Sequence, residues 1–433
     1  MTESTDHTPP RPQPNRAPSA SARRRRGDPR IERISWYLGL ALIAVGLLGL
    51  VSSLGSDDAD VASVNDDGSS VDVTSDEDAT TGAGSLSTNV AGETDTRADR
   101  FTISASGDII IHGRVGEAAQ TGDNSYDFSP LFAPVQSLIS SRDFAICHLE
   151  VPISSTNDDL SFAAAAFRAP MELPAAIKAA GFDSCSVASN HAWDSGESSV
   201  LSTIAQLKAV ELPHVGIANT PEEAANNWQF DVLGNTVGHL SYTYGHNNPD
   251  LDNGGVPQDR VALIDEQKIL ADAARHRADG SEFTIVSMHW GTEFQNDLNE
   301  QQSDLGPRLL SSPDIDLIIG HHAHVPQRVE EIDGKYIAYG LGNLLSNQAK
   351  DVAECPNDCT LDSQDGVLLD FVVERDSDGA LKVTEVIANP TWVDVGGTWK
   401  IISTDNPPAV GVDLDPAVLQ ASGDRTRATL QVN

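Results

Sequence analysis

Three histidines fall within four residues, at positions 321, 322 and 324, directly after the apolar run "LIIG". The chain has only 12 histidines in 433 residues, so this local density is unusual. Protonated imidazoles packed this closely repel one another, and a shared cation removes that cost. Neutral imidazole is also the commonest metal ligand in proteins. The stretch "GHHAHV" therefore indicates a metal site, and the alternative is a solvated polar loop.

Other residues that bind metals or transfer protons also follow apolar runs: Asp108, Glu150, Asn190, His191 and His289. In open α/β sheets, ligands bind beyond the carboxyl ends of the strands, so strand ends of this kind predict one shared crevice. Carboxylates, an amide oxygen and imidazoles suit Zn²⁺, Mn²⁺ or Fe better than Cu(I). One such ion, or two about 3.5–4 Å apart, would polarise a substrate and activate water. A histidine that is not bound to metal would then protonate the leaving group.

Apolar runs typical of strands alternate with amphipathic stretches from residue 101 onward. The predicted strands are 101–108, 143–150, 182–190, 283–290, 315–322 and 336–343, and the predicted helices are 173–181, 199–210 and 266–280. This alternation is typical of an α/β fold. The apolar stretches on either side of the turn-rich "RDSDGA" predict an antiparallel hairpin, so we expect mixed sheets.

The N-terminal part of the chain has a different composition. Residues 1–33 are rich in Pro, Ser and Arg and predict a disordered basic tail. Residues 34–56 carry no charge, and as a helix these 23 residues would span about 34 Å, enough to cross a bilayer core. The arginines before this stretch predict a cytoplasmic N-terminus. Residues 57–99 predict an acidic disordered linker, which leaves 100–433 as the extracellular domain of a single-pass plasma-membrane protein.

The formal net charge of −36 limits the binding partners. A nucleic-acid-binding domain has a basic face, so this balance excludes nucleic acid as a partner. A surface this acidic remains soluble beside an anionic polymer without adsorbing to it.

The four cysteines form two groups. Cys147 and Cys185 lie in apolar runs and are predicted to pack as small buried side chains. Cys355 and Cys359 bracket the polar "CPNDC", which outside the cell favours a local disulfide and inside the cell would be half of a metal site.

Six short motifs carry a resemblance to a known family. They are "SGDIIIHGRV", "HLEVPIS", "SNHAWDSG", "MHWGTEF", "GHHAHVPQ" and "YGLGNLL", all within residues 101–345. With these motifs the chain resembles the bacterial capsule synthesis family CapA/PgsA, which is linked to poly-γ-glutamate and is similar to the calcineurin-like metallophosphoesterases. The resemblance implies a metallophosphoesterase-like α/β/β/α sandwich with mixed sheets, preceded by one transmembrane helix.

The resemblance also implies a role for individual residues. The implied metal ligands are Asp108, Glu150, Asn190, His289, His322 and His324. His191 matches the general acid and Asp194 would orient it, while Glu293, His321 and Asn343 are implied as neighbours of the ligands. His246 follows another apolar run and could contact substrate, although a loop histidine of this kind is more often structural.

Two positions depart from the pattern that the resemblance implies. The superfamily usually has a histidine two residues after its first aspartate, where this chain has Ile110, so one metal site would lack an imidazole. The family often has Asn where this chain has His148. Residues two apart in a strand face the same side, so His148 could reach the site beside Glu150. His112, four residues after Asp108, is not assumed to substitute for the missing histidine.

The resemblance implies a membrane-anchored protein that acts in capsule or poly-γ-glutamate biosynthesis or export, through metal-dependent hydrolysis or transfer. Its expected partners are the membrane, a capsule or poly-γ-glutamate synthase complex, and the anionic polymer. Two alternatives remain open: a non-catalytic assembly factor of a synthase complex, and a secreted metal-dependent phosphodiesterase or nucleotidase.

Overall fold

The computed structural model describes residues 97–163, 166–226, 228–247, 257, 259–350, 359–408 and 414–432. The predicted tail (1–33), the predicted anchor (34–56) and nearly all of the predicted linker (57–99) lie outside these ranges. No helix within the described ranges combines the length and the apolar character that crossing a bilayer requires.

Short strands and helices alternate along the described chain. The strands are β1 (Arg100–Ile109), β2 (Gln120–Gly122), β3 (Ser125–Tyr126), β4 (Phe144–Leu149), β5 (Ser161–Ala163), β6 (Ala166–Arg168), β7 (Ser184–Ser186), β8 (His214–Val215), β9 (Gln229–Val232), β10 (Asn235–Thr243), β11 (Phe283–His289), β12 (Leu317–His321), β13 (Val329–Ile332), β14 (Lys335–Ala338), β15 (Asn343–Leu345), β16 (Asp365–Arg375), β17 (Leu381–Val393) and β18 (Ile401–Ser403). The helices are α1 (Gly113–Ala119), α2 (Ser129–Phe132), α3 (Gln136–Ser140), α4 (Leu173–Ala180), α5 (Glu197–Ala209), α6 (Pro221–Ala224), α7 (Glu266–Ala278), α8 (Glu300–Leu310) and α9 (Pro416–Leu430), with a 3-10 helix at Leu361–Gln364.

Two mixed sheets organise these elements. The first has the strand order β18-β17-β16-β1-β4-β7-β8, with β15 beside the end of β1, and the second has the order β13-β14-β12-β11-β10-β9. In the first sheet β1, β4, β7 and β8 run parallel, and in the second β10, β11, β12 and β14 run parallel. The predicted hairpin forms between β16 and β17, which pair antiparallel. The prediction of an α/β fold with mixed sheets is therefore confirmed.

Three hydrophobic clusters define the layers. One lies between the two sheets and includes Ile103 of β1 and Phe283 of β11. The second places Ala145 of β4 with side chains of α1 to α5, and the third places Val286 of β11 with side chains of α7 and α8. Neighbouring residues of one strand enter different clusters because strand side chains alternate between the two faces. Helices thus cover the outer face of each sheet, which is the expected sandwich.

Local sequence signals explain where the predicted helices begin and end. Helix α4 has Pro174 in its first turn and is followed by Gly181, whose φ of +109° is a left-handed conformation that glycine adopts without strain. The side chain of Asp265 accepts the backbone N–H of Lys268 at 2.9 Å and caps α7. Because these signals are local, the sequence predicts both helices well.

The predicted strand 336–343 is divided between the two sheets. Strand β14 belongs to the second sheet and ends at Ala338, whereas β15 begins at Asn343 and pairs with β1 of the first sheet. Gly342, between them, has a φ of +68° and lies so close to the backbone of Asp365 that a Cβ there would overlap its carbonyl oxygen. The chain therefore crosses from one sheet to the other immediately before Asn343.

The prediction for Cys147 and Cys185 was wrong in one respect. Both side chains are buried, as expected, but they form a disulfide with a Cα–Cα distance of 4.5 Å. The physical reason is strand register, because the two residues lie directly opposite each other on the parallel strands β4 and β7. Cys359 is also disulfide-bonded, in agreement with a disulfide at "CPNDC", and Cys355 lies outside the described residues.

We predict that Gly320→Ala strongly destabilises the fold. A Cβ at Gly320 in β12 would overlap the backbone carbonyl oxygen of Tyr339, and backbone cannot move aside as a flexible side chain can. We expect a loss of at least about 2 kcal/mol in the free energy of unfolding, measured by urea denaturation. The control is Gly122→Ala, where a Cβ meets open space and the change should stay within about 0.5 kcal/mol. Equal effects of the two substitutions would contradict this account.

Candidate metal centre

The parallel strands of both sheets deliver the predicted residues to one place. Asp108 lies near the end of β1, Glu150 directly follows β4, Asn190 follows β7, and His289 ends β11. His321 ends β12, and the turn after it contains His322 and His324. All seven side chains are at least nine-tenths buried. The expectation that strand ends converge on one crevice holds for this whole set.

The two carboxylates lie among the imidazoles. Asp108 Oδ1 is 3.3 Å from His321 Nδ1, and Asp108 Oδ2 is 3.2 Å from His324 Nδ1. The backbone N–H of His322 also donates to Asp108 Oδ2 at 3.0 Å. Glu150 Oε1 lies 3.6 Å from His324 Nε2 and 3.9 Å from His289 Nε2. Asp108 and Glu150 therefore share His324 between them.

Several buried atoms of this cluster have no hydrogen-bond partner among the described residues. They are Asp108 Oδ1, both carboxylate oxygens of Glu150, both ring nitrogens of His321, and Nδ1 of His322. A buried polar atom left without a partner costs about 1–3 kcal/mol. A cation bound among them would remove that cost.

Side chains in and beside this cluster form four groups. Within each group, the potential ligand atoms all lie within 4.8 Å of one another. The groups are Asp108–His148–His321, Glu150–His289–His322, Glu293–His322–His324 and Asp108–Glu150–His324. Carboxylate and imidazole ligands together suit a divalent transition metal. The cluster is thus compatible with a divalent metal site, and the residues shared between groups leave room for one ion or two.

The electrostatics favour neutral imidazoles in most of the cluster. Burial and then the neighbouring imidazoles lower the pKa of His148 and His289, and lower that of His322 to about 3. Neutral imidazoles are the form that binds metal. Burial also acts to lower the pKa of His324, but the carboxylates of Glu150 and Asp108 outweigh it and raise the pKa to about 10. A cation held by the same two carboxylates would take over the role of that proton.

The turn after β12 is strained. His322 and His324 have φ angles of +87° and +56°, in a region that costs a residue other than glycine about 1–3 kcal/mol. Asn343 fixes the second of them, because its Oδ1 lies 3.1 Å from His324 Nδ1 and its Nδ2 donates to the His324 carbonyl at 3.2 Å. His324 Nε2 is thereby directed toward Glu150, as a metal-ligand orientation requires.

His191 lies beside the cluster and belongs to none of the four metal-ligating groups of the described residues. Its Nδ1 is 2.8 Å from Asp194 Oδ2, and its Nε2 is 3.4 Å from Asn247 Nδ2. Asp194 Oδ2 also accepts the backbone N–H of Phe167 at 2.6 Å, and the Phe167 ring contacts the imidazole edge-on at 4.8 Å. The imidazole is therefore held in one orientation with Nε2 pointing away from Asp194.

His148 lies inside the cluster, opposite Asp108 in the register of β1 and β4. Its Nδ1 is 2.8 Å from Ser186 Oγ, and its Nε2 is 2.9 Å from His289 Nδ1. Ile110, where a family imidazole was expected, is buried in the hydrophobic cluster on the outer side of the first sheet.

The remaining predicted residues have mixed positions. Glu293 is exposed, yet its carboxylate lies within reach of His322 and His324. His246 and His112 are absent from the metal-ligating groups of the described residues. The backbone N–H of Asn347 donates to His112 Nδ1 at 3.5 Å, and burial, followed by the charges of His324 and His191, lowers the pKa of His112 to about 3.

Sequence reasoning missed two residues that follow β10. The Tyr244 ring lies 4.7 Å from the His322 ring, and Asn247 contacts His191. Burial, and then Glu293 and Glu150, raise the pKa of Tyr244 to about 12, so its hydroxyl stays protonated. The end of the apolar run at 242–244 is the available signal, although His246 is the residue there whose type is a familiar metal ligand.

Comparison with known proteins places the chain in a family. Residues 102–348 match the family described as "Bacterial capsule synthesis protein PGA_cap", and this range contains every residue of the cluster. The chain belongs to this family of bacterial capsule synthesis proteins. The family assignment confirms the resemblance to CapA/PgsA.

Curated relatives carry matching names at low identity. The PGA biosynthesis protein CapA of Bacillus subtilis (strain 168) is 25% identical over 296 residues, which cover 66% of this chain and 72% of that protein. The capsule biosynthesis protein CapA of Bacillus anthracis is 26% identical over 257 residues, which cover 58% of this chain and 61% of that protein.

Two solved structures similar to this capsule synthesis family member are a nucleotidase and a calcineurin-like phosphoesterase. The NAD nucleotidase of Haemophilus influenzae has a TM-score of 0.42 at 14% identity and covers 75% of this chain and 68% of that chain. The calcineurin-like phosphoesterase YfkN of Bacillus subtilis has a TM-score of 0.39 at 13% identity and covers 76% and 97%.

We predict that the full-length chain, purified without chelator, contains one to two equivalents of a transition metal by elemental analysis. The double variant His322→Ala/His324→Ala should lose most of it, because these residues supply imidazoles to three of the four groups. The control is His214→Ala, which removes a buried imidazole that lies outside all four groups. Metal-free wild-type protein, or equal metal in the double variant, would contradict a metal centre here.

Proposed function

We propose that this chain is a membrane-anchored protein that acts in capsule or poly-γ-glutamate biosynthesis or export through metal-dependent hydrolysis or transfer. The observation that carries the proposal is the buried cluster around Asp108 and Glu150 with the His191–Asp194 pair beside it. The uncharged stretch 34–56 would be the anchor. The names of the two Bacillus relatives refer to PGA and capsule biosynthesis, which supports the pathway.

The cluster residues would hold one or two divalent ions. Bound ions would polarise a phosphoryl or carbonyl oxygen and lower the pKa of water. Asp108, Glu150, His289, His322 and His324 would hold them. Asn190, whose Oδ1 lies 2.8 Å from His289 Nε2, has its amide oxygen directed at the same place. Burial of this set excludes bulk water, which strengthens every electrostatic interaction inside.

His191 would transfer the proton. Asp194 accepts the Nδ1–H of His191 and would stabilise the imidazolium, so the proton to be transferred is the one on Nε2. Nε2 points away from Asp194 and accepts from Asn247 Nδ2 at 3.4 Å. Once protonated, it would face the leaving group. Protonation of a departing alkoxide or amine there would complete the cleavage of a phosphoester or a γ-glutamyl amide.

The charge of the chain supports contact with an anionic polymer at the cluster rather than elsewhere. A chain with a formal net charge of −36 repels a polyanion over most of its surface. Bound divalent ions would provide a local exception, so a glutamate polymer would meet the protein where hydrolysis or transfer takes place.

A chain of hydrogen bonds suggests separate roles for His148 and His321. Ser186 Oγ lies 3.3 Å from the Cys147 carbonyl and 2.8 Å from His148 Nδ1, and His148 Nε2 lies 2.9 Å from His289 Nδ1. With a metal bound, His148 would accept the Nδ1–H of His289, and His289 Nε2, which lies 2.8 Å from Asn190 Oδ1, would present its lone pair to the ion. His321, with both nitrogens unpartnered beside Asp108, would supply the imidazole missing at Ile110.

These roles predict different effects on metal content. His321→Asn should lower the number of bound ions in the full-length chain, because it removes a ligand. His148→Asn should keep the number and weaken metal affinity about 10–100-fold, as loss of an orienting partner does. The matched control is His239→Asn, since His239 is also buried and bonded to a serine, at 2.9 Å from Ser287 Oγ. If His148→Asn loses an ion and His321→Asn does not, the two roles must be exchanged.

We expect His191→Ala to reduce turnover about 100–10,000-fold while metal content stays unchanged. The assay uses the metal-loaded full-length chain with an aryl phosphodiester and a γ-glutamyl anilide as probe substrates. Asp194→Asn should act in the same direction through the orientation of His191. A His191→Ala variant with wild-type turnover would exclude the proposed proton transfer, and a wild type inert toward both probes would count against catalysis of these bonds.

A non-catalytic assembly role is the second candidate. A relative in Mycobacterium tuberculosis (strain H37Rv), 25% identical over 268 residues, is named a probable polyglutamine synthesis accessory protein, and Ile110 removes one expected imidazole. Capsule or polymer production in cells that carry only His191→Ala separates the two candidates. Normal production would favour the assembly role, and lost production with normal protein levels would favour catalysis.

A further inference from the structure

A second cavity lies beside β10, outside the metal centre. It borders β8 and the chain that follows it, helix α6, the C-terminal half of β10 and helix α7, and it opens to solvent. No carboxylate and no imidazole of the four metal-ligating groups lines it.

The edge of β10 is open at this cavity. On the side away from β11, the N–H of His239 donates to Trp228 at 3.1 Å and the N–H of Thr243 donates to Ala262 at 2.9 Å. Backbone groups of a strand alternate in direction, so Ser241, which lies between these two residues, directs its N–H and C=O to the same side.

The segment 260–262, which lies beside this end of β10, does not pair with Ser241. The carbonyl of Arg260 accepts the N–H of Ala218 at 3.0 Å, and the N–H of Ala262 donates to Gly216 at 2.9 Å. Among the described residues, the N–H and C=O of Ser241 are therefore left without a backbone partner on this side. Buried backbone groups are rarely left unpaired. The N–H and C=O of Ser241 therefore offer a bound molecule one donor and one acceptor side by side.

Two buried side chains that line the cavity add to this unpaired edge. Ser241 is 4% exposed, and its Oγ has no hydrogen-bond partner within the described residues. His239 is 1% exposed, and its Nδ1 also has no hydrogen-bond partner there. Both residues line the cavity. Three unpaired features at one point indicate a ligand that both donates and accepts hydrogen bonds.

The charges around the cavity indicate the class of ligand. Three cationic and three acidic side chains line it: Arg260, Lys268, Arg275, Glu223, Asp259 and Asp272. Most of these side chains already have a partner of opposite charge: Lys268 and Arg275 pair with Asp272, Arg260 with Glu197, and Glu223 with Lys208. The wall therefore has no excess of either sign of charge, which favours a ligand without net charge over a simple anion or cation. An N–H beside a C=O on an open strand edge is the pattern that pairs with a peptide group. Trp228 provides an apolar wall.

We propose that this cavity binds a small zwitterionic peptide, of dipeptide size, whose peptide group pairs with the backbone of Ser241. Its charged termini would face the mixed charges of the wall. The metal centre takes no part in this binding, so the inference stands or falls independently of the proposed function.

The test is calorimetric titration of the full-length chain with L-alanyl-L-alanine and with L-alanine. We expect saturable binding of the dipeptide at one site per chain, and at least tenfold weaker binding of the amino acid, which has both charges and no peptide group. Amide hydrogen exchange in residues 239–243 should slow when the dipeptide is added. Chelator treatment should change neither result.

Two variants at the C-terminal end of helix α6 provide a matched pair. Ala224 lines the cavity, and Ala224→Phe should fill it and weaken dipeptide binding at least tenfold. Ala225→Phe places the same ring at the next, exposed position, outside the lining, and should bind as the wild type does. No saturable binding and no change in exchange would mean that the cavity holds water only and would overturn the proposal. Equal affinity for alanine would overturn the role of Ser241, and loss of binding with chelator would move the ligand to the metal centre.

Discussion

The burial of two carboxylates without enough partners is the constraint on which the rest of this structure depends. Asp108 and Glu150 are each 1% exposed, and both oxygens of Glu150 lack a hydrogen bond within the described residues. Taking a carboxylate out of water is costly unless a positive charge or several donors replace the solvent. Here most of the surrounding side chains are imidazoles that burial keeps neutral. A divalent cation is the simplest way to balance this arrangement.

The fold places the cluster where the two sheets are joined. The chain leaves β14 of the second sheet and enters β15 of the first within four residues, and Asn343, the first residue of β15, holds His324. The N–H of Asp108 donates to the carbonyl of Gly342 in this crossing segment at 2.9 Å, and a Cβ at Gly107 would overlap that same carbonyl. The cluster residues of both sheets are therefore fixed relative to one another by backbone contacts. That rigidity offsets the strain at His322 and His324.

The sequence predicted the cluster well because its signals are local. A polar residue at the end of an apolar run can be recognised one strand at a time, and this identified Asp108, Glu150, His289 and the histidines after β12. Features that depend on pairing between distant segments could not be predicted in this way. The Cys147–Cys185 disulfide joins residues 38 positions apart and follows from the register of β4 and β7. The division of 336–343 between two sheets likewise depends on contacts with Asp365 and β1.

The histidine that was expected at position 110 illustrates how neighbouring elements can share one chemical task. Position 110 points into the hydrophobic layer outside the first sheet, so Ile110 stabilises packing there. Asp108 nevertheless has imidazoles nearby from two other elements: His148 opposite it on β4, and His321 and His324 from the end of β12. His148 is already paired on both nitrogens, with Ser186 and His289, so among these three imidazoles His321 is the one whose ring nitrogens have no hydrogen-bond partner in the described residues. Isoleucine at position 110 therefore changes which strand provides an imidazole to Asp108. Enough imidazoles remain beside Asp108 for metal binding.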